Sequence, residues 1–176
     1  MRKFHVCFAA VVLWVAGVAP ATGQETQTIA SVVGRFVVDF PAGELHESTQ
    51  EMALKGADKE TVHEMAVQVD NGTASGVTYM VIYEDFPPKY TKGAPQDFLA
   101  ARRDTFLKGK TKLSEKVIDL SGTPGLAITA SDDQQNYIQR LFLKGSRLYT
   151  LFVICAKGTT AAQASQFLES FQIQSF

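Results

Sequence analysis

The chain has 176 residues, 17 Lys and Arg against 18 Asp and Glu, a formal net charge of −1 at pH 7 and 45% hydrophobic residues. A charge so near zero argues against a nucleic-acid binder, which carries a strong basic excess. The length suits one ordinary domain with a sizeable core.

The first residues, MRKFHVCFAAVVLWVAGVAPATG, set Arg2 and Lys3 ahead of an apolar run over 4–19 and a small-residue segment. That is the grammar of a secretory signal peptide. The run is short for a membrane span, which wants about 20 apolar residues. Residues 1–23 are therefore expected to be a leader, cut after Ala21 or after Gly23, with an uncleaved anchor as the alternative. Cys7 lies too early, inside the apolar region, for a lipid-attachment cysteine. Loss of Arg2 and Lys3 would leave 15 cations against 18 anions, a net charge of −3, on an exported chain with no stable membrane span, periplasmic or extracellular. Of the two cysteines only Cys155 survives processing, so the mature chain has no internal disulfide. It lies in the apolar run YTLFVIC, where a cysteine reads as a small inert hydrophobe.

Residues 24–34 are polar and read as a flexible lead-in to a globular domain over 35–176. Phe36, Val38 and Phe40 then alternate with Val37 and Asp39 before Pro41-Ala42-Gly43, a strand closed by a turn. Residues 44–52 fit an edge strand or a short loop, and the charged stretch to Lys59, with Gly56, reads as a connection. Over 61–69, His63, Met65, Val67 and Val69 fall on one side and Glu64 and Gln68 on the other. Asp70-Asn71-Gly72-Thr73 follows, with Asn-Gly the strongest short turn signal. The partner strand, 76–84, puts Val77, Tyr79, Val81 and Tyr83 on one face and Met80 and Ile82 on the other, the pattern of a central strand covered on both sides.

The stretch 85–93, DFPPKYTKG, cannot continue a ladder because proline lacks a donor. Pro95 opens a helix over 95–108 with Phe98, Leu99, Arg102 and Phe106 on one stripe, and Gly109 stops it. At about 1.5 Å per residue it is about 21 Å long, enough to lie along a strand. A strand over 112–120, a turn at 121–125, a strand over 126–131 and a polar loop over 132–136 come next. Residues 137–156, YIQRLFLKGSRLYTLFVICA, form the most strongly signalled element, a tight hairpin about Gly145-Ser146. Thr159 or Thr160 is then expected to cap a closing helix with Ala164, Phe167, Leu168 and Phe171 as its apolar stripe. Short turns make the neighbouring strands antiparallel. The fold class is α+β, with seven or eight strands in an antiparallel sheet flanked by two main helices, as an α/β/α sandwich or a two-layer variant.

The leader, the early FVVDFP, the helix APQDFLAARRDTFLKG after the long central strand, the SGTPG turn, the GSRLYTLFV hairpin and the closing FLESFQI together resemble the PsbP-like superfamily. That superfamily includes the extrinsic PsbP subunit of photosystem II, a nuclear-transport factor that binds the GTPase Ran, and bacterial envelope proteins. The resemblance covers most of 35–173 as element order and apolar spacing, and it brings no catalytic or ligand signature. It implies an antiparallel sheet between helices and a non-enzymatic accessory or binding role. It carries no site residue over, and nothing in the sequence points to a photosystem or a GTPase as partner.

Signals for chemistry are sparse. Gly72-Thr73-Ala74-Ser75-Gly76 lacks the spacing of a nucleophile elbow and lies in a predicted turn. Neither a phosphate-cradling loop nor a dinucleotide fingerprint is present. His46 and His63, with Glu44, Glu47 or Glu64, could supply a metal's ligands if they shared a face, but a partly buried sheet histidine is the stronger reading of His63. Asp132 and Asp133 read as a solvated turn rather than a calcium loop. The basic cluster Arg102, Arg103, Lys108, Lys110, Lys112 and Lys116 gathers towards a helix C-terminus, where cations oppose the macrodipole. Its functional alternative is an electrostatic patch for an acidic protein or an anionic membrane surface.

No catalytic residue, metal or cofactor is therefore expected. The proline loop is the best contact surface, since loops on rigid scaffolds commonly carry function, although Phe86 or Tyr90 could equally cap the core. The expected partner-binding residues are Phe86, Tyr90, Lys92, Arg102 and Arg103, set on loops at one end of the sheet. The expected function is an exported, non-enzymatic accessory or binding protein that recognises a protein or envelope component. The alternatives are a small-ligand carrier with a sheet–helix cleft and a metal-dependent enzyme.

Overall fold

The computed structural model describes residues 25–54, 58–69 and 76–174. The leader, the Asn71-Gly72 turn, Gly56 and the Gly72–Ser75 portion of the would-be elbow lie outside them. Ten strands and two helices are present among the described residues. Strands β1 (Thr26–Ser31), β2 (Phe36–Pro41), β3 (Leu45–Ala53), β4 (Lys59–Val69) and β5 (Val77–Asp85) precede helix α1 (Pro95–Phe106). After it come β6 (Thr111–Leu120), β7 (Thr123–Ser131), β8 (Gln135–Lys144), β9 (Arg147–Ala156), α2 (Ala164–Ser170) and β10 (Gln172–Ile173).

Seven strands form one antiparallel sheet in the order β3-β4-β5-β9-β8-β7-β6, and β1-β2-β10 form a second, smaller one. Helix α1 packs on β7 and β8, whereas α2 packs on β2. The large sheet is thus covered by α1 on one face and by α2 with the small sheet on the other. The expected antiparallel sheet between helices is there, with two differences. One of the covering layers is itself partly a sheet, and its three strands come in addition to the seven of the expected one.

The extra strands have local causes. Residues 26–31, expected as a flexible lead-in, pair with β2 from Thr26↔Pro41 to Ser31↔Phe36. They alternate between exposed and half-buried, with Ile29 against the core. The closing FQI supplies β10, which pairs Gln172 with Val37 along the other edge of β2. The ambiguous segment after Pro41 resolves as an edge strand, β3.

Each face has its own core. Towards the small sheet and α2 lie Phe36, Val38 and Phe40 of β2, Tyr79, Val81 and Tyr83 of β5, and Phe167 and Phe171. Towards α1 lie Phe86, Leu99, Leu126, Ile128, Leu141 and Leu148. β5 pairs with β4 and β9, so its two-sided apolar pattern does mark an interior strand. The hairpin about Gly145-Ser146 pairs Lys144 with Arg147, and Gly145 takes the positive φ of 63° that such a turn needs.

Other junctions differ from the sequence reading. The turn after β6 is only Ser121-Gly122, with φ values of 51° and 82°, so Pro124 and Gly125 belong to β7. Gly125 is required there for a different reason: a Cβ on it would sit 2.6 Å from the carbonyl oxygen of Leu141. α2 starts later than Thr159 or Thr160 would set it, with Gln163 at its N-cap and no side-chain cap. The Ser170 hydroxyl helps to fix α2 instead, accepting from the amide of Asp39 at 2.8 Å and donating to the carbonyl of Phe167 at 2.9 Å.

Candidate functional site

The strand registers gather most of the connections of interest at one end of the large sheet. Ala53 pairs with Lys59, Asp85 with Arg147, Lys144 with Arg147 and Leu120 with Thr123. The β3–β4 connection, the proline loop, and the β6–β7 and β8–β9 turns therefore leave the sheet on the same side. The β1–β2 turn joins them, because Arg147 donates from Nη1 to the carbonyl of Val33 at 2.7 Å and the buried Tyr149 hydroxyl donates to that of Gly34 at 2.9 Å.

The proline loop is held at several points. The amide of Phe86 donates to the carbonyl of Ser146 at 3.0 Å, and Pro88–Tyr90 form a single 3-10 turn. The Tyr90 hydroxyl donates to Asp58 Oδ2 at 2.7 Å, and Lys89 Nζ stands 2.5 Å from the same oxygen. Lys89 and then Tyr90 accordingly hold the Asp58 carboxyl below the usual range, and the hydrogen bond to Asp58 pushes the Tyr90 phenol up. A loop this well anchored can present a contact surface without a large ordering cost.

Phe86 is not on that surface. It is 6% exposed, meets Phe98 edge-on at 5.1 Å between ring centroids, and lies under the Arg102 guanidinium at 5.5 Å. Its place on a loop suggested exposure, but the loop turns inward at this residue to close the α1 core. Tyr90 is half-buried and Lys92 is exposed. The solvent-facing surface gains two residues that the sequence reading passed over, Val32 and Val33, 76% and 68% exposed at the tip of the β1–β2 turn. Their only sequence signal is a pair of β-branched residues between Ser31 and Gly34, within a stretch otherwise read as lead-in.

The expected union of the proline loop with the basic cluster forms at Arg102, over Phe86, but does not extend to the lysines. α1 separates Lys92, before its first turn, from Lys108, Lys110 and Lys112 beyond its last. Arg102 is held by Glu84 across the α1 interface. Arg103 donates to Glu115 Oε1 at 2.5 Å and also pairs with Asp104, while Lys112 reaches Glu115 Oε2 at 2.7 Å. Lys110 stands over the rings of Phe106 and Tyr137. Coulomb attraction to nearby carboxylates and ring faces accounts for most of the cluster.

The metal hypothesis turns on register. His46 pairs with Ala66 and His63 with Thr49, so the two imidazoles fall on opposite faces of the sheet. His63 accepts or shares a hydrogen bond with Thr49 at 3.0 Å and stacks on Tyr83 at 4.3 Å, and burial lowers its pKa. Among the described residues no group of three or more His, Cys, Asp or Glu is placed to hold a metal ion. Cys155 is 8% exposed and burial pushes its thiol up, away from reactivity. No helix among the described residues is long and apolar enough to cross a membrane.

Beside the proline loop a cavity of about 390 Å³ opens between the segment entering α1 and the two neighbouring turns. Thr91, Ser121, Thr123 and Lys144 give it polar walls, and Pro95 and Leu143 apolar ones.

A seven-stranded antiparallel sheet with a helix on one face and a helix plus a small sheet on the other is a PsbP-like fold. The solution structure of cyanobacterial PsbP from Synechocystis sp. PCC 6803 overlays with a TM-score of 0.53 at 15% sequence identity, over 89% of this chain and 98% of that one. The crystal structure of a Pseudomonas aeruginosa protein of unknown function gives a TM-score of 0.47 at 7% identity, over 82% and 92%. No family model and no curated protein sequence matches the chain. At such identities the likeness is one of fold.

Proposed function

We propose that this chain is an exported, non-enzymatic accessory or binding protein of the cell envelope that recognises a protein partner through the loop end of its large sheet. The observation that carries this reading is the anchored proline loop. Asp58, Ser146 and Phe98 fix it from three different elements, and it sets Lys92 outward at the same end as the exposed Val32 and Val33. Large apolar side chains kept in water on a hydrogen-bonded turn do nothing for the fold, whereas at an interface they are useful. The leader-like residues 1–23 support export.

The test is affinity capture with mature protein from the envelope extract of its own cells. A Val33→Asp, Lys92→Glu variant should lose partner recovery about tenfold or more while its melting temperature holds, as expected for interface residues outside the core. Equal recovery by the variant would remove the loop end as the site. Intact mass of protein recovered from the producing cell should show residues 1–21 or 1–23 missing; their retention would overturn the export part alone.

The second reading, a small-ligand carrier, has the cavity between the turns in its favour. It predicts a thermal shift with a bound small molecule that disappears in Thr123→Trp.

A further inference from the structure

Two carboxylates lie buried beneath α1 with a single guanidinium between sheet and helix. The register Val62↔Glu84 places Glu60 and Glu84 on the same face of neighbouring strands, diagonally adjacent. Each is 5% exposed. Arg102 of α1 donates from Nη2 to Glu84 Oε1, whereas Glu60 Oε2 is buried without a hydrogen-bond partner. Among the described residues, the others packed about the pair bring no spare charge. Met52 of β3 stands opposite Glu60, Leu148 of β9 opposite Glu84, and α1 adds Leu99. Asp58, two residues before Glu60, is already held by Lys89 and Tyr90, and Asp85 is paired with Arg147 on the other face.

We infer that Glu60, Glu84 and Arg102 form a proton-operated latch that holds α1 on the sheet while Glu60 carries a proton and loosens it when that proton leaves. With Glu60 neutral, one carboxylate faces one guanidinium. With Glu60 ionised, two buried carboxylates compete for Arg102, and the oxygen without a partner has no compensation for its lost hydration. Burial pushes both carboxyls above the ordinary glutamate range, with Arg102 pulling each the other way. A carboxyl raised in the folded state gives up its proton more readily once unfolded. Its contribution is therefore complete below the unfolded pKa and is lost as pH rises through the folded one. Because Arg102 also covers the ring of Phe86, opening the latch would release the root of the proline loop. That consequence for partner binding rests on the reading of the loop end as the binding surface; the latch itself does not.

Hydrogen exchange of the mature chain, corrected for chemical exchange, reads the latch without reference to any partner. Protection of the α1 amides should fall about tenfold between about pH 5 and about pH 9, and most of that fall should be gone in Glu60→Gln, where Glu84 alone still titrates. Equal protection at both pH values in the native chain, or a dependence that survives undiminished in the variant, overturns the proposal. A carboxyl-carbon NMR titration of Glu60 in the unmodified protein gives a second reading that needs no variant. A midpoint above the ordinary glutamate value supports the latch, and one at or below it sinks it.

Discussion

Tyr137 and Asp132 show how one hydrogen bond fixes two protonation states. The Tyr137 hydroxyl donates to Asp132 Oδ2 at 2.6 Å, and the amides of Gln134 and Gln135 donate to Oδ1 at 2.9 and 2.8 Å. Tyr137 first and then those amides hold the Asp132 carboxyl down at about 2, and burial, followed by the hydrogen bond to Asp132, pushes the phenol up to about 12. The stability tied to Asp132 is thus intact above the ordinary aspartate pKa and is lost only as pH falls through about 2. The other four tyrosines are raised as well, three chiefly by burial and Tyr90 by its bond to Asp58. A spectrophotometric titration of the native protein should therefore show no phenolate at the ordinary value of about 10, and Tyr137→Phe should remove the last component to appear. A tyrosine titrating normally in the folded state would contradict this. At this scale the sequence was informative about Cys155, whose apolar neighbours announce its burial. It was silent on Phe86, because a loop residue's direction depends on what the loop packs against.

The elements were legible where their own periodicity sufficed. The hairpin about Gly145-Ser146, the two-faced β5 and the stripe of α2 are written in spacings of two and of three to four residues, and these alone set which side chains share a face. β1 was missed because a polar strand with Ile29 as its main apolar contact gains its order from the edge of β2, which no local pattern reveals. The metal idea failed for a related reason: residue types near one another in sequence say nothing about register, and a one-residue difference sends His46 and His63 to opposite faces. α1 is the element on which the candidate site depends most. Its one fully buried residue, Leu99, is 0% exposed in a cluster with Phe86, Leu126 and Leu148. Leu99→Ala should cost about 2–5 kcal/mol by denaturant unfolding, the range for a truncated core leucine. A change near zero would mean that α1 adds little to the fold.

Over the whole molecule the large sheet separates two cores that meet different demands. The side towards β2 and α2 is built mainly from aromatic rings, with Phe36 and Phe171 at 5.5 Å and Phe40 and Phe167 at 5.1 Å between centroids. β2 carries three of its fully buried side chains, Phe36, Val38 and Phe40, and is held along one edge by all of β1 but along the other, among the described residues, by the two-residue strand Gln172–Ile173. A chain that starts at Val32 should therefore melt at a clearly lower temperature than one that starts at Gln24, since β2 would lose its longer partner. Equal melting temperatures would show that side-chain packing alone secures it.

The sequence by itself determined the antiparallel α+β character, the two helices, the tight hairpin and the faces that go inward, because each follows from alternation and turn chemistry within a few residues. Only the tertiary structure decided that 26–31 is a strand, that the basic cluster is divided along α1, and that Glu60, Glu84 and Arg102 meet in one buried place. Those outcomes depend on which strand lies beside which and in what register. Such pairings join residues far apart in the chain, and no short-range pattern encodes them.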